Sequence, residues 1–218
     1  MNSKLIVLGF GLLLIFSAFA FATETPWTKA SHDARVESGY PTINFDSKNL
    51  GVGRATIPIK SDKQTFILFP TAIDGTRDQT RIIDSATCRF YYTTYSISSY
   101  VNVFFNKVTG TWDESNIRWN NKPQFGDGIS SKQYNNYDKK PPVNSYVDWD
   151  CTQAFRDAYY ASKDLNVGFD FYTPEQNNPN YLNLSSKDDE LKGDQLDYGP
   201  GIKVVWHRNE PPSCSSDR

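Results

Sequence analysis

Histidine, methionine and cysteine are nearly missing from this chain, and so are the arrangements by which they do chemistry. Two histidines, His32 and His207, stand in strand-like contexts, and there is no HExxH pair, no GxSxG elbow and no GxxxxGK[ST] loop. Zinc-protease, serine-hydrolase and P-loop chemistry therefore lack their anchors. The three cysteines show no CxxC spacing and no Cys/His cluster, so a structural zinc site has no ligand set. Charge of one sign is also lacking: Lys and Arg number 23 against 25 Asp and Glu, and no basic stripe offers itself to nucleic acid. Beyond the first stretch there is no long apolar run, which excludes a later membrane span of roughly 20 residues.

That first stretch is of another kind. Lys4 supplies a positive start, Leu5 to Phe16 is apolar apart from Gly9 and Gly11, and Ala18, Ala20 and Ala22 follow as small residues. The pattern is that of a secretory signal peptide over residues 1–22, and it predicts a secreted, extracellular protein. Residues 23–207 then suit one domain, and the polar stretch 208–218, with Pro211 and Pro212, reads as a disordered tail.

What is abundant is aromatic: 14 Phe, 13 Tyr and 5 Trp. Bulky rings fit pleated, half-buried surfaces and supply stiff buried area. The apolar pattern has period two. Ala86, Cys88, Phe90 and Tyr92 alternate with Thr87, Arg89, Tyr91 and Thr93, and Val101, Val103 and Phe105 alternate with their neighbours. Further strand-like runs are Arg54–Lys60, Thr65–Phe69, Tyr146–Trp149, Val167–Tyr172, Tyr181–Ser186 and Gly201–His207, separated by clusters of Gly, Asn, Asp and Pro. One segment has the other period. Cys151, Ala154, Phe155, Ala158 and Tyr159 form a helical stripe, with Asp150 as N-cap and Gln153 as the capping-box partner. Ile129–Asn144 and Lys187–Tyr198 read as loops. The pattern predicts an all-β fold, a jelly-roll β-sandwich with one short covering helix.

In an oxidising compartment Cys88 and Cys151, both on apolar faces, are the candidates for a disulfide. Cys214, in the polar tail, is left free or available for an intermolecular bridge. Asn183-Leu184-Ser185 is a sequon, so Asn183 is the glycosylation candidate.

The sharpest local feature is the segment from Thr111 to Pro123, in which Trp112 and Trp119 flank the polar turn Asp113-Glu114-Ser115-Asn116. Two uses compete, a platform on which sugar rings stack and a pair of indoles buried against the sandwich. Burial is favoured, since a large indole contributes more when removed from water. For the acidic clusters Asp113–Glu114 and Asp188–Asp189–Glu190, a turn or a solvated loop is favoured over catalytic carboxylates.

This segment resembles the W-x-E-x-x-(V/I)-x-W-N-x-x-P signature of the DNRLRE domains, also classed as carbohydrate-binding module family 96. Other stretches agree in order: Asp33-Ala34-Arg35-Val36, Asn49-Leu50-Gly51, Ser85 to Tyr91, Trp149-Asp150-Cys151-Thr152, Asn166-Val167-Gly168-Phe169, Tyr181 to Asp188, and Gly199 to Val204. The resemblance runs from about Thr28 to His207. The arginine-rich stretch that names the family is not recognisable around Gln64–Pro70, and Ile129–Asn144 is idiosyncratic. The resemblance implies a jelly roll that binds a polysaccharide without cleaving it. Polysaccharide lyases on the same scaffold tend to show Q-x-H and Y-x-K-x-G-x-Y runs, which are missing here. A structural or adhesive matrix protein is the further alternative.

Lys48, Arg54, Lys60 and Lys63 lie in the early strand region and are the candidate ligand-binding residues, since cations meet uronate carboxylates through charge-assisted hydrogen bonds. Calcium is a candidate cofactor, with Asp33, Asp46 and Asn49 as candidate ligands, although turn capping is an ordinary use for such residues.

Overall fold

The computed structural model describes residues 22–45, 49–56, 59–188 and 198–209. Lys48 and Asp46, residues 1–21 of the expected signal peptide, residues 189–197 of the expected loop and residues 210–218 of the expected tail, with Cys214, fall outside these residues.

Twelve strands form one continuous antiparallel sheet that curls around a core. In chain order they are β1 Thr23–Glu24, β2 Thr28–Lys29, β3 His32–Glu37, β4 Asn49–Ala55, β5 Ser61–Phe69, β6 Arg81–Ile97, β7 Tyr100–Thr109, β8 Gln124–Asn135, β9 Ser145–Asp150, β10 Leu165–Tyr172, β11 Asn180–Ser185 and β12 Gly201–Arg208. The helix α1, Thr152–Tyr160, stands between β9 and β10. The order across the sheet is β1-β12-β6-β11-β4-β5-β10-β7-β8, with β2 on β12, β3 on β5 and β9 on β6. Distant strands are thus neighbours, as in jelly-roll winding, and the all-β fold with a single short helix holds.

The long strands β5 and β6 change partner along their length. β5 pairs with β4 over Ser61–Lys63 and with β10 over Thr65–Phe69, while β3 pairs with it over Lys63–Leu68. β6 pairs with β12 over Arg81–Arg89 and with β11 over Tyr92–Ile97. This switching lets the one sheet curl and oppose two layers of inward side chains. Phe90, Phe105 and Phe169 are fully buried, with ring centroids 4.8–5.6 Å apart, and Trp149 packs 5.3 Å from Phe169. Such aromatic contacts add to the area they remove from water. A second, smaller cluster of Ala34, Val36, Phe66, Val108 and Ile117 takes Trp112, Trp119 and Phe125 against it.

Helix α1 buries Ala154, Phe155 and Tyr159, the face the periodicity predicts. Its cap differs by one residue. Cys151 is the N-cap, while the Asp150 carboxylate accepts from the Thr152 N–H (2.9 Å) and hydroxyl (2.6 Å). Gln153 donates forward to Asp157 (2.7 Å) instead of back to the cap. Cys88 on β6 and Cys151 form the expected disulfide, with Cα atoms 6.0 Å apart.

Three strand readings need correction. Of the expected strand Arg54–Lys60 only Arg54 and Ala55 are strand, at the end of β4; Thr56, Ile59 and Lys60 stand in no strand, and residues 57 and 58 lie outside the described residues. The expected loop Ile129–Asn144 is strand as far as Asn135, because β8 is an edge paired with β7 alone and needs no apolar alternation. The final strand takes in Arg208, which pairs with Arg81. The glycine-rich β4 also had no strand signal. Gly53 there adopts φ +120°, and a Cβ would stand 2.2 Å from the Asn180 carbonyl oxygen, so the close approach to β11 requires glycine.

Candidate functional site

The Trp112–Pro123 segment is pinned to the sandwich by its own polar groups. Asp113 accepts from the Ser115 N–H (2.8 Å) and hydroxyl (2.6 Å), closing the turn. Asn44 donates to the carbonyls of Glu114 and Ile117, both at 2.8 Å, and Ile117 plugs into the smaller cluster. The Trp112 indole N–H donates to Asn166 (2.8 Å), and its ring meets Phe66 edge-on. Both tryptophans are half-buried against Phe66 and Phe125, as the burial reading expects, and they form no common platform. Trp112 walls a groove of about 710 Å³ along α1, and Trp119 walls a separate cleft of about 320 Å³.

Two of the four predicted cations meet at the Trp119 cleft, Arg54 in its lining and Lys60 through Gln176. It is lined by Arg54, Asp62, Gln64, Asp170, Phe171 and Gln176 among others. Arg54 grips Asp62 in bidentate fashion (2.6 and 2.9 Å) and donates to the Gln176 side-chain oxygen (2.5 Å). Lys60 reaches the same oxygen at 3.3 Å. The bond to Asp62 raises the Arg54 pKa, so the guanidinium is a permanent cation. It lies 5.8 Å from the Phe171 ring, and the Lys122 ammonium lies 4.8 Å from the Trp119 ring. Burial draws the Lys122 pKa down while Asp170 opposes it. Gln64 donates to Asp170 (2.7 Å) and fixes the back wall. Aromatic walls with a few fixed donors and acceptors suit a polyhydroxylated ligand.

Lys63 does not join this cleft. Successive strand side chains point to opposite faces. Asp62 is opposite Arg54, and Lys63 is opposite Gly53, so the two cations leave the sheet on different sides. The Lys63 ammonium sits 4.7 Å from the Tyr181 ring. Its pKa is lowered by burial, with Glu37 opposing and Arg35 adding to the shift. Arg35, which nothing in the sequence singled out, shares that face. It pairs with Glu37 (2.9 Å), donates to the Asn49 carbonyl (2.9 Å) and covers the Phe45 ring at 4.8 Å. The stems of Lys63 and Arg35 lie across Gly51, where a Cβ would meet them at 3.2 and 3.4 Å. Asn183, the sequon residue, is half-buried on the same face, and its amide donates to the Thr94 hydroxyl (2.9 Å).

Of the candidate metal ligands, Asp46 lies outside the described residues, and Asp33 and Asn49 have different partners. Asp33 is brought to Glu114 and Asp188, with carboxylate oxygens within 4.8 Å of one another, while Asn49 serves Arg35 through its carbonyl. Asp33, 2 % exposed, accepts from the Ser186 hydroxyl (2.8 Å) and the Lys187 N–H (2.5 Å), and its own N–H donates to Glu114 (3.2 Å). Burial pushes its pKa up to about 7, against the lowering effect of those donors. The oxygen donors are of the kind calcium takes. A cation is nevertheless already present, for the Lys187 ammonium binds Glu114 (3.2 Å) and Asp188 (2.9 Å). Burial disfavours that charge, but the bonds to Asp188 and Glu114 outweigh it and raise the Lys187 pKa. A dication would have to expel this lysine, so the residues fit it poorly. The cluster works as a clasp joining β3, the Trp112–Pro123 segment and the end of β11.

Neither histidine lines the Trp119 cleft: His32 bonds Ser31 (3.2 Å), and His207 faces Asp84 at 3.0 Å. Among the described residues no helix is long and apolar enough to cross a membrane. No curated protein matches the chain. The profile of carbohydrate-binding module family 96 matches residues 25–196, a span that contains the tryptophan segment, the clasp, Arg54 and the disulfide. With that match over most of its length, this chain belongs to carbohydrate-binding module family 96.

Proposed function

We propose that the protein is a secreted, non-catalytic module that holds an extracellular or cell-wall polysaccharide in the cleft of Arg54 and Trp119. The observation that carries this is the convergence of Arg54 and Lys60 on Gln176 beside the Trp119 and Phe171 rings. The rings offer apolar faces to a pyranose, the amides and carboxylates meet hydroxyls, and the cations favour an acidic sugar. Secretion is supported by the amino-terminal sequence pattern and by a disulfide between buried cysteines. The acidic residues that would serve catalysis are otherwise engaged: Asp113 closes a turn, and Glu114 and Asp188 hold Lys187.

The test is affinity electrophoresis of the mature protein in gels containing polygalacturonate or alginate. We expect retardation that Arg54→Ala and Trp119→Ala each weaken by about tenfold, which corresponds to 1.4 kcal/mol. Retention should survive a chelator, and no unsaturated or reducing ends should appear. A wild-type protein that runs freely on every acidic and neutral polysaccharide would refute the proposal.

A further inference from the structure

A second aromatic site lies on the far side of the sheet order, where β12 stands three strands along from β4. Trp27 belongs to neither hydrophobic cluster and remains 36 % exposed. It is nevertheless held. Its ring lies against Gly201, where a Cβ would already touch Cε3 at 3.4 Å. The Arg89 guanidinium sits 4.1 Å from the ring centroid and the Lys203 ammonium 5.1 Å. Register places these groups together: Arg89 is opposite Gly201 on β12 and opposite Asp148 on β9, and Tyr91 is opposite Tyr146. The Arg89 guanidinium also lies 5.2 Å from the Tyr146 ring. Tyr198 adds a third tyrosine, with its ring centroid 4.0 Å from Tyr91. Trp27, Thr28, Lys29, Arg89 and Tyr146 line a cleft of about 320 Å³ that shares no residue with the Arg54 cleft.

The charges here are matched locally. Arg89 binds Asp148 through two hydrogen bonds (2.6 and 2.8 Å), and Lys203 binds Glu24 at 2.8 Å. Such partly exposed pairs add little to stability, but they hold donors and acceptors around an aromatic plate. A uronate would have to compete with Asp148 and Glu24 for the two cations. A neutral pyranose meets the plate with its C–H face and the paired groups with its hydroxyls. A rigid aromatic side chain is also an economical anchor, because little freedom is lost on binding.

We propose that the Trp27–Arg89–Tyr146 surface is a second glycan contact, selective for neutral sugar residues. It rests on the reading of the chain as a polysaccharide binder and adds to it a second attachment point. Two contacts joined by one rigid sheet raise retention on a chain that satisfies both, or bridge two chains.

Affinity electrophoresis of the full chain in xylan, mixed-linkage β-glucan and polygalacturonate tests this, with poly(U) RNA run as a competitor. Trp27→Ala and Tyr146→Ala are expected to weaken retardation in the neutral gels by about tenfold or more and to leave polygalacturonate unchanged. Trp27→Phe, which keeps a ring, should restore part of the loss, and thermal melting should show all variants folded. Neutral-gel retardation unaltered in both variants, or missing from the wild type while polygalacturonate still retards it, overturns the second contact and leaves the Arg54 cleft standing. Competition by poly(U) that depends on Trp27 overturns it in favour of base stacking. A wild type that runs freely in all three gels overturns both.

Discussion

The aromatic residues of this protein divide into an interior set and a rim set. Phe90, Phe105, Phe169 and Trp149 lie in the main core, each touching others of the group, and Trp149 also has the Lys132 ammonium 4.8 Å from its ring centroid. Trp27, Trp112 and Trp119 are partly exposed, and each is positioned by a polar partner: cations for Trp27 and Trp119, and the Asn166 amide for Trp112. The interior set contributes stability through area removed from water. The rim set keeps ring surface available and contributes orientation. The same side-chain chemistry thus serves folding in one place and, on the proposed function, recognition in the other, and the exposure of the ring marks which.

The comparison can be broken most forcefully at Phe169, which is fully buried against three other rings. Phe169→Ala should cost about 3–5 kcal/mol of unfolding free energy, read from the shift of a urea midpoint. A loss below about 1 kcal/mol would mean that the interior set is not the source of stability.

A smaller effect sharpens the contrast at the polar clasp that positions the tryptophan segment. The folded Asp33 carboxyl keeps its proton up to about pH 7, whereas the unfolded one releases it near 3.8. Between those values the folded state binds more protons, so stability falls as pH rises from about 4 to about 7. The slope contributed is at most about 1.4 kcal/mol per pH unit. Asp33→Asn should flatten that slope in urea midpoints measured at pH 4.5, 5.5 and 6.5. An unchanged slope would show that another group carries it.

The smallest effect belongs to Tyr137, which is 81 % exposed and has its backbone N–H, not its ring, bonded to Asn135. Tyr137→Ser should change stability by less than about 0.5 kcal/mol. A larger loss would mean that exposed rings also stabilise the fold, and the division would fail.

Much of the interior was legible because burial imposes a period. Alternation picked out β6, β7, β10, β11 and β12, and the five-residue stripe picked out α1. Where that constraint is weak, the reading failed. β8 lies at an edge with most residues exposed, and β4 is held by Gly51 and Gly53, which carry no side chain to show a pattern. At the site, Arg54 and Lys60 were chosen from the sequence and meet at one cleft, whereas Trp119, which walls it, was read as a buried indole. Arg35 and Trp27 were not chosen, because each looks like an isolated surface residue until strands distant in sequence bring Lys63, Gly51, Arg89 and Gly201 beside it.

By itself the sequence determined the class of the molecule: an all-β fold filled with rings, one helix closing it, and two cysteines on inward faces. These depend on local periodicity, which each segment carries alone. The tertiary structure decided which residues act together. It placed Arg54 and Lys63 on opposite faces of neighbouring strands, brought Asp33 to Glu114 and Asp188 around Lys187, and left Trp27 outside both hydrophobic clusters. The reason is that contacts in this sheet run mostly between segments far apart in the chain, and the strand register selects the partners.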